Sequence, residues 1–212
     1  MSARAITHAN ATRPRDVAVY NANAPAEERA HALSAALPPA LLEILAAGTV
    51  RSQSRFSEDD RFLGVTGVWQ PPATVTSEHV QMARRALMDL EDTVLAPADP
   101  LSLLGRVLAL LSHFPGRSLA ASVEQAVAGD WADDLAEYPL WAVEQAARQW
   151  RRSRKWRPSI AEMRGLCDDI CAVERDFAKR LVAIVKTAAR AEPAALPSAS
   201  IHALARCAIR RM

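Results

Sequence analysis

Apolar residues recur at helical spacing along most of the chain and scarcely anywhere at strand spacing. After Pro25, the acids Glu27 and Glu28 precede Leu33 and Leu37, the layout of a short helix with its acids in the first turn. Pro38-Pro39 interrupts it, and Leu41, Leu42, Ile44 and Leu45 predict a second short helix ended by Gly48. Residues 49–75 carry Gly64, Gly67, Pro71 and Pro72 and read as irregular; the weak apolar stretch from Phe62 to Trp69 admits a short hairpin. Thr76 or Ser77 then caps a helix marked by Val80, Ala83, Leu87, Leu90 and Val94. Leu101 to Phe114 is strongly apolar and stops at Pro115-Gly116. Ser118 to Ala128 predicts a further helix ended by Gly129, followed by a short acidic turn or helix over 131–138. Pro139 opens a helix running to about Ser153. Ser159 and Glu162 form the S-x-x-E capping pattern behind Pro158, and the helix they start meets no breaker before about Ala191. Pro193 and Pro197 stop it, and a closing helix is expected over Ser200–Arg211.

This pattern predicts an all-α chain: a compact helical bundle with a long C-terminal helix and a flexible N-terminal arm. The expected organisation is a disordered arm over 1–24, an N-terminal helical region over 25–97 with its irregular segment at 49–75, and a helical bundle domain over 98–212. The long helix carries Ile160, Met163, Cys167, Ile170, Phe177, Leu181, Ile184 and Val185, an approximate heptad seam. That seam can dimerise, but packing on helices 101–153 is the expected use. Composition agrees with a helical class, since only 7 of 212 residues are glycine and half the chain is hydrophobic.

Net charge is only +2, so partners must be sought in the local distribution of charge. Residues 118–147 hold Glu124, Asp130, Asp133, Asp134, Glu137 and Glu144 and no lysine or arginine. Residues 148–157 reverse this, with Arg148, Arg151, Arg152, Arg154, Lys155 and Arg157 and no acid, interleaved with Trp150 and Trp156. Such a patch can hold phosphates, with Trp156 stacking on an exposed base. The competing reading is a solvated face, with cations complementing a helix C-terminus or paired to the preceding acids. Trp131, Trp141, Trp150 and Trp156 crowd into the same stretch; at least two are expected as core anchors, and an exposed one would suggest an interface.

Catalytic chemistry finds little support. The chain lacks G-x-x-x-x-G-K-[ST], H-E-x-x-H, G-x-S-x-G and G-x-G-x-x-G, and its five histidines (8, 31, 79, 113, 202) have no ligand spacing. Cys167 and Cys171 share a helix face without further ligands, which predicts small core residues in a reducing, cytoplasmic compartment rather than zinc. No enzyme activity, catalytic residue, metal or cofactor is expected. The N-terminus has no signal-type apolar core, and no run spans a bilayer, so no membrane partner is expected either.

One stretch, about Leu101 to Cys167, resembles the small helical domain of phage replicative-helicase loader and inhibitor proteins. The likeness rests on Tyr138-Pro139-Leu140-Trp141-Ala142-Val143, then Ala146, Trp150 and Lys155-Trp156-Arg157-Pro158-Ser159-Ile160-Ala161-Glu162-Met163, with Leu135 upstream. The resemblance implies a phage or prophage DNA-replication accessory that binds a ring-shaped replicative helicase, on a helical scaffold. The residues then proposed to contact DNA or an acidic partner are Arg148, Arg151, Arg152, Arg154, Lys155, Trp156 and Arg157. The alternatives are a protein–protein interaction module without a nucleic-acid role, and a helix-turn-helix transcriptional regulator, for which no segment offers a convincing recognition helix.

Overall fold

The computed structural model describes residues 20–115 and 120–191. The closing helix expected over 200–211 and residues 1–19 of the expected arm lie outside the described residues. The element order is α1 (Ala26–Ala35), α2 (Pro39–Ala47), β1 (Thr49–Phe56), β2 (Phe62–Gln70), α3 (Ser77–Asp92), α4 (Pro100–Ser112), α5 (Ala121–Leu135), α6 (Leu140–Ser153), α7 (Ile160–Ile170) and α8 (Ala172–Ala191). The chain is therefore mostly helical, but not the all-α bundle expected.

The exception is the segment 49–75, read as irregular, where the short hairpin admitted by Phe62–Trp69 forms. Strands β1 and β2 form an antiparallel two-stranded ribbon running from Thr49↔Gln70 to Arg55↔Gly64, then Phe56↔Phe62 past a one-residue bulge. At the bulge Gly64 takes φ +124, a backbone region that only glycine enters at low cost. The turn is closed by Ser57 N–H donating to the Arg61 carbonyl at 2.8 Å, and Asp60 N–H donating to the Ser57 carbonyl at 3.1 Å. Every residue of β1 is exposed, and its sequence has no apolar face, so the sequence signal for the hairpin came from Phe62–Trp69 alone. Its base is anchored by Trp69, whose ring lies so close to Gly48 that a Cβ there would sit 2.1 Å from it.

Local signals fix the helix starts. Asp99 caps α4 by accepting Ser102 N–H at 2.9 Å, with Pro100 in the first turn. That hydrogen bonding holds the Asp99 carboxyl below its ordinary range. Thr76 caps α3 and forms a reciprocal box with His79. Ser159 and Glu162 form the expected box on α7: Ser159 N–H donates to Glu162 Oε2 at 2.8 Å, and Glu162 N–H donates to Ser159 Oγ at 3.3 Å.

Two further expectations fail for identifiable reasons. Gly129 does not end its helix. Helix α5 continues to Leu135 because Ala128, Trp131 and Leu135 form its buried stripe, whose burial outweighs the ~1 kcal/mol cost of a helical glycine. The long C-terminal helix is not continuous either. It breaks at Cys171 (φ −97, ψ 17) into α7 and α8.

Two hydrophobic cores result. The first gathers Leu103, Val107, Leu110, Trp131, Leu135, Tyr138, Val143, Trp150, Met163 and Cys167 from α4 to α7. The second gathers Leu41, Ile44, Val80, Ala83, Leu181 and Ile184. Helix α8 thus packs chiefly on α3, not on helices 101–153 as expected. The break at Cys171 is what turns the seam from one core to the other.

Between the cores lies a buried ion pair. Arg29 of α1 (6 % exposed) and Glu174 of α8 (0 %) are the buried charged residues among those described, with Arg29 Nε 3.3 Å from Glu174 Oε1. Arg29 Nη2 donates to the Ile170 carbonyl at the break (2.8 Å), and its guanidinium lies 5.4 Å from the Trp141 ring centroid. Tyr20 donates its hydroxyl proton to Glu174 at 2.6 Å. Burial, and then that carboxylate, push the Tyr20 hydroxyl far above its ordinary range. Residues 20–24, expected as part of a free arm, are therefore docked, and Gln145 also donates to the Ala22 carbonyl at 2.5 Å.

Cys167 and Cys171 are buried free thiols, with the Cys171 thiol donating to the Cys167 carbonyl. Burial pushes the Cys167 thiol from 9.0 up to about 12, and raises that of Cys171 as well. A thiol with a raised folded pKa contributes stability that is complete below pH 9.0 and lost as pH climbs towards about 12. Urea midpoints should accordingly fall through that window, less steeply in Cys167→Ala. An equally steep fall in the variant contradicts the burial described.

Candidate nucleic-acid interface

Helix α6 buries Ala142, Val143, Ala146, Ala147 and Trp150. That stripe decides where the cations go: Arg148 and Arg152, four apart, share the opposite, exposed face, while Arg151 stays half-buried at its border. The helix ends as Arg154 turns extended (φ −128, ψ 150), its N–H donating to the Trp150 carbonyl at 2.8 Å. Arg154, Lys155 and Trp156 are exposed, Arg157 is half-buried, and Pro158 is buried at the foot of α7.

The turn is held rather than loose. Trp150, in the first core, donates its indole N–H to the Trp156 carbonyl at 2.8 Å. The Arg154 guanidinium lies 5.6 Å from both the Trp150 and the Trp156 ring centroids, filling the gap between them. The capping box of α7 follows directly. Its Glu162 carboxyl is held below its ordinary range by the Ser159 N–H and hydroxyl, with a smaller contribution from Arg154. The outcome is Trp156, 55 % exposed, standing among cations on a braced loop.

Two of the six acids preceding the turn, Glu137 and Glu144, are paired elsewhere. Glu144 pairs with Arg106, and Glu137 pairs with Arg164 and with Arg175, which also pairs with Asp168. None of Arg148, Arg151, Arg152, Arg154, Lys155 and Arg157 forms an ion pair among the described residues. Glu137 and Glu144 serve the fold instead. Tyr138 is buried and donates to Asp168 at 2.8 Å, with the Arg175 guanidinium 4.5 Å from its ring centroid. Burial, then Asp168, push the Tyr138 hydroxyl up to about 12. This network ties the corner between α5 and α6 to α7 and α8.

The seven proposed residues are thus divided: Arg148, Arg151 and Arg152 lie on the last turns of α6, and Arg154, Lys155, Trp156 and Arg157 on the connection to α7. Of the four neighbouring tryptophans, Trp131 and Trp150 are core anchors, Trp141 is half-buried with its N–H donating to the Val94 carbonyl at 2.7 Å, and Trp156 is exposed. What sequence reasoning did not provide was the division of labour among the cations: Arg154 acts as a spacer, whereas Arg148, Arg152 and Lys155 project into solvent. The 3.6-residue period of α6, applied to its apolar stripe, would have separated Arg151 from Arg148 and Arg152.

Other chemistry is sparse. Among the described residues no group of three His, Cys, Asp or Glu side chains could hold a metal ion. A cleft of about 650 Å³ between α1 and α3 is lined mainly by apolar side chains such as Leu33, Leu37, Met82 and Phe177, with Arg85 and Asp89 as its charged members. Among the described residues, no helix is long and apolar enough to cross a membrane. Comparison of the chain with protein families, with curated proteins and with solved structures finds no match.

Proposed function

We propose that this protein is a non-enzymatic DNA-replication accessory whose contact with nucleic acid is the basic turn over residues 148–157. The observation that supports this most is a set of exposed cations on the end of α6 and the braced loop after it, with no carboxylate partner among the described residues, beside a half-exposed tryptophan. Uncompensated arginines and lysines favour phosphates through counterion release. A braced loop loses little entropy on binding, and exposed Trp156 offers a π-face for an unpaired base. The process, replication, rests on the likeness of residues 101–167 to helicase-loader domains, and a ring-shaped replicative helicase is the protein partner that likeness implies.

Arg148→Gln, Arg152→Gln and Lys155→Gln together remove three solvent-facing charges and leave the Arg154 spacer in place. Retention of a short labelled DNA at low salt should weaken about tenfold or more, with helical circular dichroism unchanged. Retention equal to wild type would remove the turn from any nucleic-acid role.

A further inference from the structure

We propose that the cleft between α1 and α3 is the docking site of the chain's own residues 16–19, laid along it as an extended strap with Val17 and Val19 on its apolar floor and Asp16 against Arg85. This stands apart from the basic turn. The cleft, about 650 Å³, is lined mainly by apolar side chains, among them Leu33, Leu37, Met82, Ala86 and Phe177, and Tyr20 is itself part of its wall. The occupant is named by where the chain enters. Residues next to Tyr20 in sequence are tethered at the cleft, at an effective concentration that no separate partner matches.

Tyr20 fixes both the place and the direction of that entry. Its hydroxyl is held by Glu174 at 2.6 Å, and its ring lies 6.3 Å from that of Trp141. Trp141 in turn donates to the Val94 carbonyl, just past the end of α3. Tyr20 therefore marks the Val94 end of the cleft. Downstream, the chain leaves towards α6, where Gln145 donates to the Ala22 carbonyl, and then enters α1. Upstream, the cleft itself lies ahead, running back along α3 past Leu90, Ala86 and Arg85 to Met82.

The sequence Asp16-Val17-Ala18-Val19 suits that course. In an extended strap Val17 and Val19 share one face, and the cleft offers that face an apolar floor to be buried on. Val17, Ala18 and Val19 fill on the order of 400 Å³ at interior packing density, which the cleft accommodates. Asp16, four residues before Tyr20, reaches roughly 13 Å from it. Arg85, nine residues before Val94, lies roughly 13 Å from the same end by the helical rise. Arg85 is exposed and forms no ion pair among the described residues, so the strap's acid arrives level with an unpaired guanidinium. Asp89, one turn further along α3, stands level with uncharged Ala18.

Disulfide formation within the full chain tests this. In a Cys207→Ala background, which leaves the two buried thiols in place, Val17→Cys with Ala86→Cys should close an intramolecular disulfide in a glutathione buffer. Its effective concentration should exceed that of Val17→Cys with Met88→Cys at least tenfold, because Met88 lies on the same helix but is exposed and outside the cleft. Arg85→Glu should lower the value for the Ala86→Cys pair about threefold, and Asp16→Lys added to it should restore the value. Arg85 and Met88 are exposed and Ala86→Cys is a small change, so helical circular dichroism should match wild type throughout. Equal values for the Ala86→Cys and Met88→Cys pairs, no response to Arg85→Glu, or a loss that Asp16→Lys does not restore overturns the proposal. So does a preference of Ala86→Cys for Leu204→Cys over Val17→Cys, which would assign the cleft to the segment around residue 204.

Discussion

Glu174→Ala should destabilise the protein by about 3–5 kcal/mol, because it leaves the Arg29 guanidinium buried without its counter-charge. The expected cost exceeds that of an ordinary ion pair because of where the pair sits. Both side chains are out of water, Tyr20 also donates its hydroxyl proton to Glu174, and Arg29 also serves the Ile170 carbonyl where the C-terminal seam changes cores. Arg29→Met alone should cost a comparable amount, since it strands the carboxylate. The two losses should not add. Arg29→Met with Glu174→Leu replaces the pair by apolar volume and should regain most of the stability, because the desolvation of both charges is avoided. Urea denaturation of the four proteins completes the cycle. A cost below ~1 kcal/mol for Glu174→Ala would mean that the pair is solvated.

Trp150→Ala should cost about 3–5 kcal/mol through the cavity it opens in the first core. Its more informative effect is on the turn. Trp150 holds the Trp156 carbonyl and one side of Arg154, so its loss should loosen a loop from which no cation has been removed. Trp150→Phe separates the two roles. It keeps most of the apolar contact, loses the indole donor, and should cost only ~1 kcal/mol. DNA retention should nevertheless fall, because the cations must then be ordered on binding. Native-state retention equal to wild type in Trp150→Phe would show that bracing of the loop contributes nothing.

How much of this was legible in the sequence follows from the range of each signal. Helix starts at Thr76 and Ser159 depend on residues three apart and read directly from the chain. The charge step after Ala147 was equally local, as was the concentration of tryptophan. What the step meant was not local: Glu137 and Glu144 are taken by Arg106, Arg164 and Arg175, none of which adjoins them in sequence. Arg29 and Glu174 looked like ordinary charges on amphipathic helices, and only the docking of α1 beside the break in the C-terminal helix buries them. That break carries no glycine or proline at Cys171. The short hairpin was legible only from Phe62–Trp69, because strand periodicity appears only when one face is covered, and both faces of β1 are open.

The most direct measurement is the salt dependence of DNA affinity. With four to six phosphates neutralised by the turn, the logarithm of the binding constant should fall against that of salt with a slope of roughly −4 to −5, and by about 2 to 3 less in the Arg148/Arg152/Lys155 glutamine variant. A slope near zero, or one the variant leaves unchanged, would contradict the account.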